Sequence, residues 1–217
     1  MTGANRFETY LFDLDGTLID STDLIMEAFR HTMRTHLGAV PDENRWRAGF
    51  GRPLRPQLAN FARDAGQASR MVDTYRDFTD EHHDRLLRPF PGIDEALAAL
   101  RGGGARLGIV TSKTNGLARR GLARCGLDGR FDALIGMDDV QPHKPHPAPV
   151  RAALRQLSTA AGRAVFIGDS PYDMQAGRAA GVRTAAVLWG AFGRQELDPE
   201  TPDYWLDDPA GIAALAG

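Results

Sequence analysis

The sequence predicts an α/β protein: a Rossmann-like parallel sheet with helices on both faces, interrupted early by an all-helical insert. Three observations carry this expectation. Short apolar runs alternate with helical patterns through the second half of the chain. A long stretch after the first run shows helical periodicity and no convincing strand. Three of the short runs end directly in polar residues fit for chemistry, as strands of a parallel sheet do at their carboxyl edge.

The elements follow in order. Residues 8–14 (ETYLFDL) read as a buried strand with an acidic tip, followed by the turn residues DGT. A helix is expected over 21–37, because Leu24, Ile25, Ala28, Phe29, Met33 and Leu37 keep helical spacing. Ser21 or Thr22 is the candidate cap for its start. Residues 42–88 read as helical, broken at 50–53 (FGRP) and near Gly66. After Pro89-Phe90-Pro91-Gly92, a helix carries Ile93, Ala96, Leu97 and Leu100 on one face and runs into Gly102–Gly104. Strands are then expected at 106–110, 132–136, 164–168 and 183–188, with helices near 114–125, 147–157 and 172–181 between them. Strand followed by helix, repeated, means a parallel sheet. The block at 20–88 is too long for a simple βα connection. It is therefore read as an inserted cap domain, with 1–19 and 89–217 forming the catalytic core.

Bulk properties narrow the function classes. Hydrophobic residues make up 42% and charged residues 25% of the 217, the balance of a globular protein with its own core. Net charge is −2, so nothing in bulk pulls the chain toward nucleic acid or an anionic membrane. No apolar run approaches the ~20 residues a membrane span needs. The N-terminus lacks a basic segment leading into an apolar one, which sets the expected location as cytoplasmic. The lone cysteine, Cys125, excludes an intrachain disulfide and any multi-cysteine metal site, and is expected to be a packed thiol.

The chemistry gathers at strand ends. The first strand ends in Asp13-Leu14-Asp15-Gly16-Thr17, the strand through Val110 in Thr111-Ser112-Lys113, and the strand through Ile167 in Gly168-Asp169-Ser170. Asp173 follows four residues after Asp169, and Lys144 stands in the proline-rich run 141–147. Asp13, Asp15, Asp169 and Asp173 should converge, and like charges that close repel unless a hard cation sits among them. Mg²⁺ suits such a set, since it accepts one or two carboxylates and leaves positions for water and phosphate. Lys144 adds positive charge. The Thr111 hydroxyl and the amides near Ser112, at the start of a helix, make a phosphate cradle. Alternation along an extended segment brings residues i and i+2 to one side, so Asp13 and Asp15 should face one spot.

These residues resemble the haloacid-dehalogenase-like hydrolase superfamily over nearly the whole chain. Its four motifs occur in order: DLDGTLIDS at 13–21, TSK at 111–113, HKPHP at 143–147 and GDSPYD at 168–173. The resemblance is to the helical-cap type, phosphoglycolate phosphatases and related pyrophosphatases above all. It implies that Asp13 is the nucleophile and becomes an aspartyl phosphate. Asp15 would be the general acid and base, its main-chain carbonyl on Mg²⁺. Thr111, Ser112 and Lys144 would hold the phosphoryl oxygens. Asp13 and Asp169 would be metal ligands, and Asp173 a supporting one. The implied partner is a small phosphorylated metabolite or pyrophosphate. A phosphosugar mutase would use the same intermediate, though DGT here replaces the DGV usual among mutases. A non-catalytic binding protein on this fold is expected to have lost one of Asp13, Asp15, Lys144 or Asp169, and all four are present.

Other residues invite plainer readings. Arg52, in Phe50-Gly51-Arg52-Pro53, resembles the cap loop that contacts substrate, against the alternative of a solvated surface arginine. His143 and His146 are expected to be loop residues, since the carboxylates already explain a metal. Glu81-His82-His83 reads as a solvated helix face, and Trp189 and Phe192 as packing.

Overall fold

The computed structural model describes residues 7–216. The first six residues, on which the reading of the N-terminus partly rests, lie outside them, as does Gly217. Six strands form one parallel sheet: β1 (Thr9–Phe12), β4 (Arg106–Val110), β5 (Ala133–Ile135), β6 (Ala164–Gly168), β7 (Arg183–Val187) and β8 (Tyr204–Leu206). Their order is β5-β4-β1-β6-β7-β8. The chain therefore builds outward from β1 on one side through β4 and β5, then restarts on the other with β6. Phe12 pairs with both Ile109 and Ile167, so the carboxyl ends of β1, β4 and β6 lie side by side. A reversal of this kind opens a crevice at the sheet edge, here at the tip of β1.

Period-two alternation sorts the strand residues between two cores. Tyr10, Phe12, Leu107, Ile109, Val165 and Ile167 pack on one face. Leu11, Val110, Ala164 and Phe166 pack on the other. Helices α5 (Ile93–Gly102), α6 (Asn115–Arg124), α7 (Ala148–Gln156) and α8 (Pro171–Ala180) connect these strands.

Between β1 and α5 the chain forms α1 (Thr22–Leu37), α2 (Glu43–Arg47), α3 (Leu54–Ala59) and α4 (Ala65–Leu86). A third apolar cluster holds them together, centred on Phe29, which stacks on Trp46 at 4.7 Å and 14°. The cluster continues into the sheet layer through Met174, Ala186, Phe192 and Leu197. The observed fold is the expected one, a parallel sheet clothed in helices with a helical cap.

Several local expectations are corrected. Ser21 precedes α1 but its hydroxyl does not cap the helix; it donates to Asp15 instead. Leu37, placed on the apolar face of α1, is exposed, because the helix ends there and turns away through Gly38 in the left-handed region. The break expected near Gly66 falls just ahead of it, at 60–64, between α3 and α4. Asp64 accepts from the Gln67 amide and starts α4, so Gly66 lies inside its first turn. Where the insert meets the core, β2 (Ile19–Asp20) and β3 (Arg88–Pro89) pair as a two-residue antiparallel ribbon. Past Trp189, α9 (Arg194–Leu197), β8 and α10 (Ala210–Ala214) complete the chain. Residues 204–206 hold only Tyr-Trp-Leu, too short a run to show alternation.

Candidate functional site

The chemistry-bearing residues meet at the crevice beyond β1, β4 and β6. Asp13 follows β1, and its amide donates to the Ile167 carbonyl at 2.9 Å, which sets the carboxylate at the strand tip. Lys144 reaches in from the proline-rich loop with 4% of its surface exposed, so its charge needs carboxylate partners. Its Nζ lies 2.9 Å from Asp13 Oδ1 and 2.7 Å from Asp173 Oδ1. Asp173 is also held by Ser170, whose amide and hydroxyl donate to its Oδ2 at 3.1 and 2.6 Å. Asp169 accepts from the Ala191 amide at 2.8 Å.

Glycines make this packing possible. A Cβ on Gly16, at φ +75°, would sit 2.1 Å from Asp169 Oδ2, and one on Gly168 would sit 2.5 Å from the Asp173 Cβ. Neither position can carry a side chain while the carboxylates keep their places.

Asp13, Asp169 and Asp173 each offer a carboxylate oxygen within 4.8 Å of the others. Burial pushes the Asp13 carboxyl up to about 7, with Asp173 adding to the rise and Lys144 opposing it. Burial, Asp173 and Asp13 drive Asp169 well above the usual carboxylate range. Burial works against the charge on Lys144, but Asp13 and Asp173 outweigh it and hold its pKa above the ordinary lysine value. These are the marks of a site built for more positive charge than one lysine supplies.

The Asp15 carboxylate stands apart from this cluster. The expected convergence of four carboxylates is corrected to three, because Asp15 Oδ1 takes the Ser21 hydroxyl at 2.5 Å and Lys113 Nζ at 2.6 Å. Thr111 is buried at the end of β4, and its Oγ1 accepts from the Lys113 amide at 3.2 Å. Ser112 lies three residues ahead of α6, whose cap is Thr114, and so is not at the helix start. Its hydroxyl donates to the Gly51 carbonyl at 2.6 Å, joining the core to the insert. Tyr172 makes a second such link, its hydroxyl donating to the Ala48 carbonyl at 3.3 Å.

Arg52 is exposed at the rim, its guanidinium 5.7 Å from the Tyr172 ring centre. It lines a cavity of ≈ 160 Å³ with Asp13, Asp15, Thr111, Lys113 and Asp169, roofed by Trp46, Phe50 and Tyr75 of the insert. His146 accepts from the Ala148 amide, a loop role as expected. Trp189 donates its indole N–H to the Thr17 carbonyl at 3.0 Å, fastening its loop to the first motif.

His83 is a correction: it is 2% exposed and lines the cavity, where a solvated face was expected. The polar composition of α4 misleads because Arg120 and Arg124 of α6 pair with Asp80 and Asp84 and cover this turn. Burial holds the His83 imidazole below its ordinary pKa. Sequence reasoning also passed over Ser21, Ser170 and Lys113 as partners of the aspartates. Each sits within or beside a quoted motif, and that adjacency was the available signal.

A three-carboxylate cluster beside a buried lysine thus lies at the switch point of a capped parallel sheet, where folds of this kind bind their ligands. The chain belongs to the haloacid dehalogenase-like hydrolases, whose family profile matches residues 10–187. It is 36% identical over 212 residues to pyrophosphatase PpaX of Anoxybacillus flavithermus, covering 98% of each chain. Among solved structures, a haloacid dehalogenase-like family protein from Streptococcus pneumoniae superposes with TM-score 0.85 at 30% identity, covering 96% of this chain and 98% of that one. A predicted phosphoglycolate phosphatase from Haemophilus somnus shares the fold with TM-score 0.89 at 24% identity, over 98% and 99%. Among the described residues no helix is long and apolar enough to cross a membrane.

Proposed function

We propose that this hydrolase is a Mg²⁺-dependent phosphatase that cleaves pyrophosphate, or a small phosphate monoester of the phosphoglycolate kind, through a phosphoryl group carried briefly on Asp13. The observation that carries the reading is the placement of Asp13 at the tip of β1, 2.9 Å from Lys144, on the floor of a roofed cavity.

The donor set fits Mg²⁺: three hard carboxylate oxygens crowd within 4.8 Å, and burial pushes two of the groups, Asp13 and Asp169, toward neutrality. Asp13 and Asp169, with Asp173 behind and the Asp15 carbonyl, would hold the ion. When bound, it supplies charge neutralisation between those carboxylates and the phosphoryl oxygens. An Asp13 carboxylate oxygen attacks phosphorus, forming one P–O bond as the bond to the leaving oxygen breaks. Lys144 and the Thr111 hydroxyl hold the equatorial oxygens, where transition-state charge accumulates. Asp15 gives its proton to the leaving oxygen, then takes one from the water that attacks the aspartyl phosphate and frees Asp13. Ser21 and Lys113 fix where Asp15 points for both steps.

In this proposal residues 20–88 act as a cap domain that closes over the cavity and excludes water during attack. Relatedness to a named pyrophosphatase over nearly the full chain favours pyrophosphate over an ester. The test is phosphate release from pyrophosphate, phosphoglycolate and p-nitrophenyl phosphate with Mg²⁺ present. Mass spectrometry of rapidly quenched protein should find the phosphoryl adduct on Asp13. Absence of phosphate release from any of the three would overturn the reading.

A further inference from the structure

The ion pair that holds Asp15 is a poor organiser by itself. Lys113 and Asp15 are both partly exposed, and such a pair returns little energy for the rotamers a lysine gives up. Its geometry is only as definite as the main chain that carries the lysine. That main chain is gripped from outside the four motifs, by the loop that follows β5.

Strand pairing brings the loop into place. Val110 of β4 lies opposite Ile135 of β5, and the Thr111 amide donates to the Ile135 carbonyl at 3.0 Å, carrying the ladder past the strand ends. The Met137 amide then donates to the Lys113 carbonyl at 2.8 Å. Asn115, the first residue of α6, is held by two carboxylates. Asp138 Oδ1 accepts from its amide at 2.9 Å and from its side-chain Nδ2 at 3.0 Å. Asp139 Oδ2 accepts from the same Nδ2 at 2.8 Å and from the Gly136 amide at 2.8 Å, which closes the turn. Two carboxylates around one side-chain amide fix which of its ends is the nitrogen. The Asn115 amide is one of the first-turn groups that a helix cannot pair internally, so Asp138 also completes the start of α6.

We propose that Asp138 and Asn115 are positioning residues for the proton that Asp15 gives to the leaving group, acting through Lys113. The inference rests on the hydrolase reading above and adds two residues outside the four motifs. As the bond from phosphorus breaks, its electron pair stays on the leaving oxygen. The Asp15 proton moves to that oxygen and Asp15 is left ionised. Ser21 and Lys113 both engage Oδ1, so the proton travels on Oδ2. If the 113–115 segment shifted, the ammonium would carry the Asp15 carboxyl with it and lengthen that transfer. Proton delivery leaves a signature that general structural damage lacks. An alkoxide or a simple phenolate leaves poorly without a proton, whereas p-nitrophenolate spreads its charge into the nitro group and needs none.

The experiment measures kcat/KM for pyrophosphate, phosphoglycolate, phenyl phosphate and p-nitrophenyl phosphate. The proteins are wild type, Asp138→Ala, Asp138→Asn, Lys113→Met and the Asp138→Ala/Lys113→Met double variant. This ratio ends at the first phosphoryl transfer, whereas kcat also contains the attack of water, which needs Asp15 whatever the leaving group. Asp138 is exposed, so its variants keep the fold. Asp138→Ala should lose about three- to tenfold on whichever of the first three substrates wild type hydrolyses, with KM nearly unchanged. Its loss on p-nitrophenyl phosphate should be about twofold or less. Asp138→Asn should stay within about twofold of wild type throughout, since its amide oxygen still accepts from Asn115. In the Lys113→Met background, Asp138→Ala should cost about 1.5-fold or less, because the residue it acts through is gone. Equal losses on all substrates, no loss on any, or additive losses in the double variant would each overturn the proposal. Wild type active on p-nitrophenyl phosphate alone would overturn it too, by showing that no proton is delivered. Wild type inactive on all four would instead sink the hydrolase reading itself.

Discussion

Lys113 Nζ stands 2.6 Å from Asp15 Oδ1, and the two side chains are about equally exposed, at 21% and 22%. Asp15 is thereby turned away from the three-carboxylate cluster and held at its edge, beside the cavity. In the proposed mechanism that edge suits a proton donor for the leaving group, and the interior suits the carboxylates that would hold the metal.

Lys113→Met should therefore lower kcat by about tenfold with little change in KM, by letting Asp15 swing out of line. Stability should fall by about 1 kcal/mol or less, because the pair is only partly buried. Steady-state kinetics and thermal melting check both. Unchanged kcat would show that Ser21 alone holds Asp15 in place.

Asp13→Asn should abolish turnover and, in the metal-free protein at pH 7.5, raise the melting temperature. The Asp13 carboxyl sits at about 7 when folded against an ordinary 3.8. The folded state thus binds its proton more tightly than the unfolded state, so ionisation destabilises the fold. That cost is absent below the ordinary value, grows between about 4 and 7, and is complete above 7. The gain from Asp13→Asn should accordingly shrink as pH is lowered toward about 4. Melting curves across that range test it, and a gain that grows toward acid would refute the assignment.

Lys144→Ala should reduce kcat by on the order of 10²–10³, like loss of other transition-state donors. The buried position adds a second effect that the sequence did not expose. Removing the ammonium leaves Asp13 and Asp173 without their shared cation, which should cost about 3–5 kcal/mol in the absence of metal. Part of that loss should return on adding Mg²⁺, and chemical denaturation with and without the ion measures it.

Chelation should remove activity, and Mg²⁺ should raise the wild-type melting temperature, since the proposed ion site is a folded cluster that the unfolded chain lacks. Ca²⁺ should stabilise but support turnover poorly, given its longer and looser coordination. Full activity after exhaustive metal removal would contradict the reading of the cluster.

Arg52→Ala should raise KM for pyrophosphate while leaving p-nitrophenyl phosphate nearly unchanged, because only the former carries a second anionic group for the guanidinium. Equal effects on both would assign Arg52 to the Tyr172 stack alone.

The sheet was readable because each central strand is a short apolar run closed by Gly, Asp or Thr at a catalytic edge. Asp13, Thr111, Lys144, Asp169 and Asp173 were readable because motif spacing and topology place them together. What the sequence hid depends on distant partners. Ser21 looked like a helix cap until Asp15 claimed its hydroxyl. His83 looked solvated because the arginines that cover its turn are about forty residues away in the sequence, on α6. Trp46 lies on a short helix whose orientation is set by the packing around Phe29, which no local pattern encodes.

The two hydroxyls that fasten the cap loop, Ser112 and Tyr172, both grip main-chain oxygens, at Gly51 and Ala48. A clasp on the backbone is indifferent to most side chains it holds. Gly51, at φ +86° with Ser170 2.7 Å from where its Cβ would be, is the exception and must stay glycine. The neighbouring position 52 is under no such constraint. In the proposed mechanism, substitution at that rim residue can shift substrate preference while both clasps stay in place, which separates the evolution of selectivity from that of the cap's attachment.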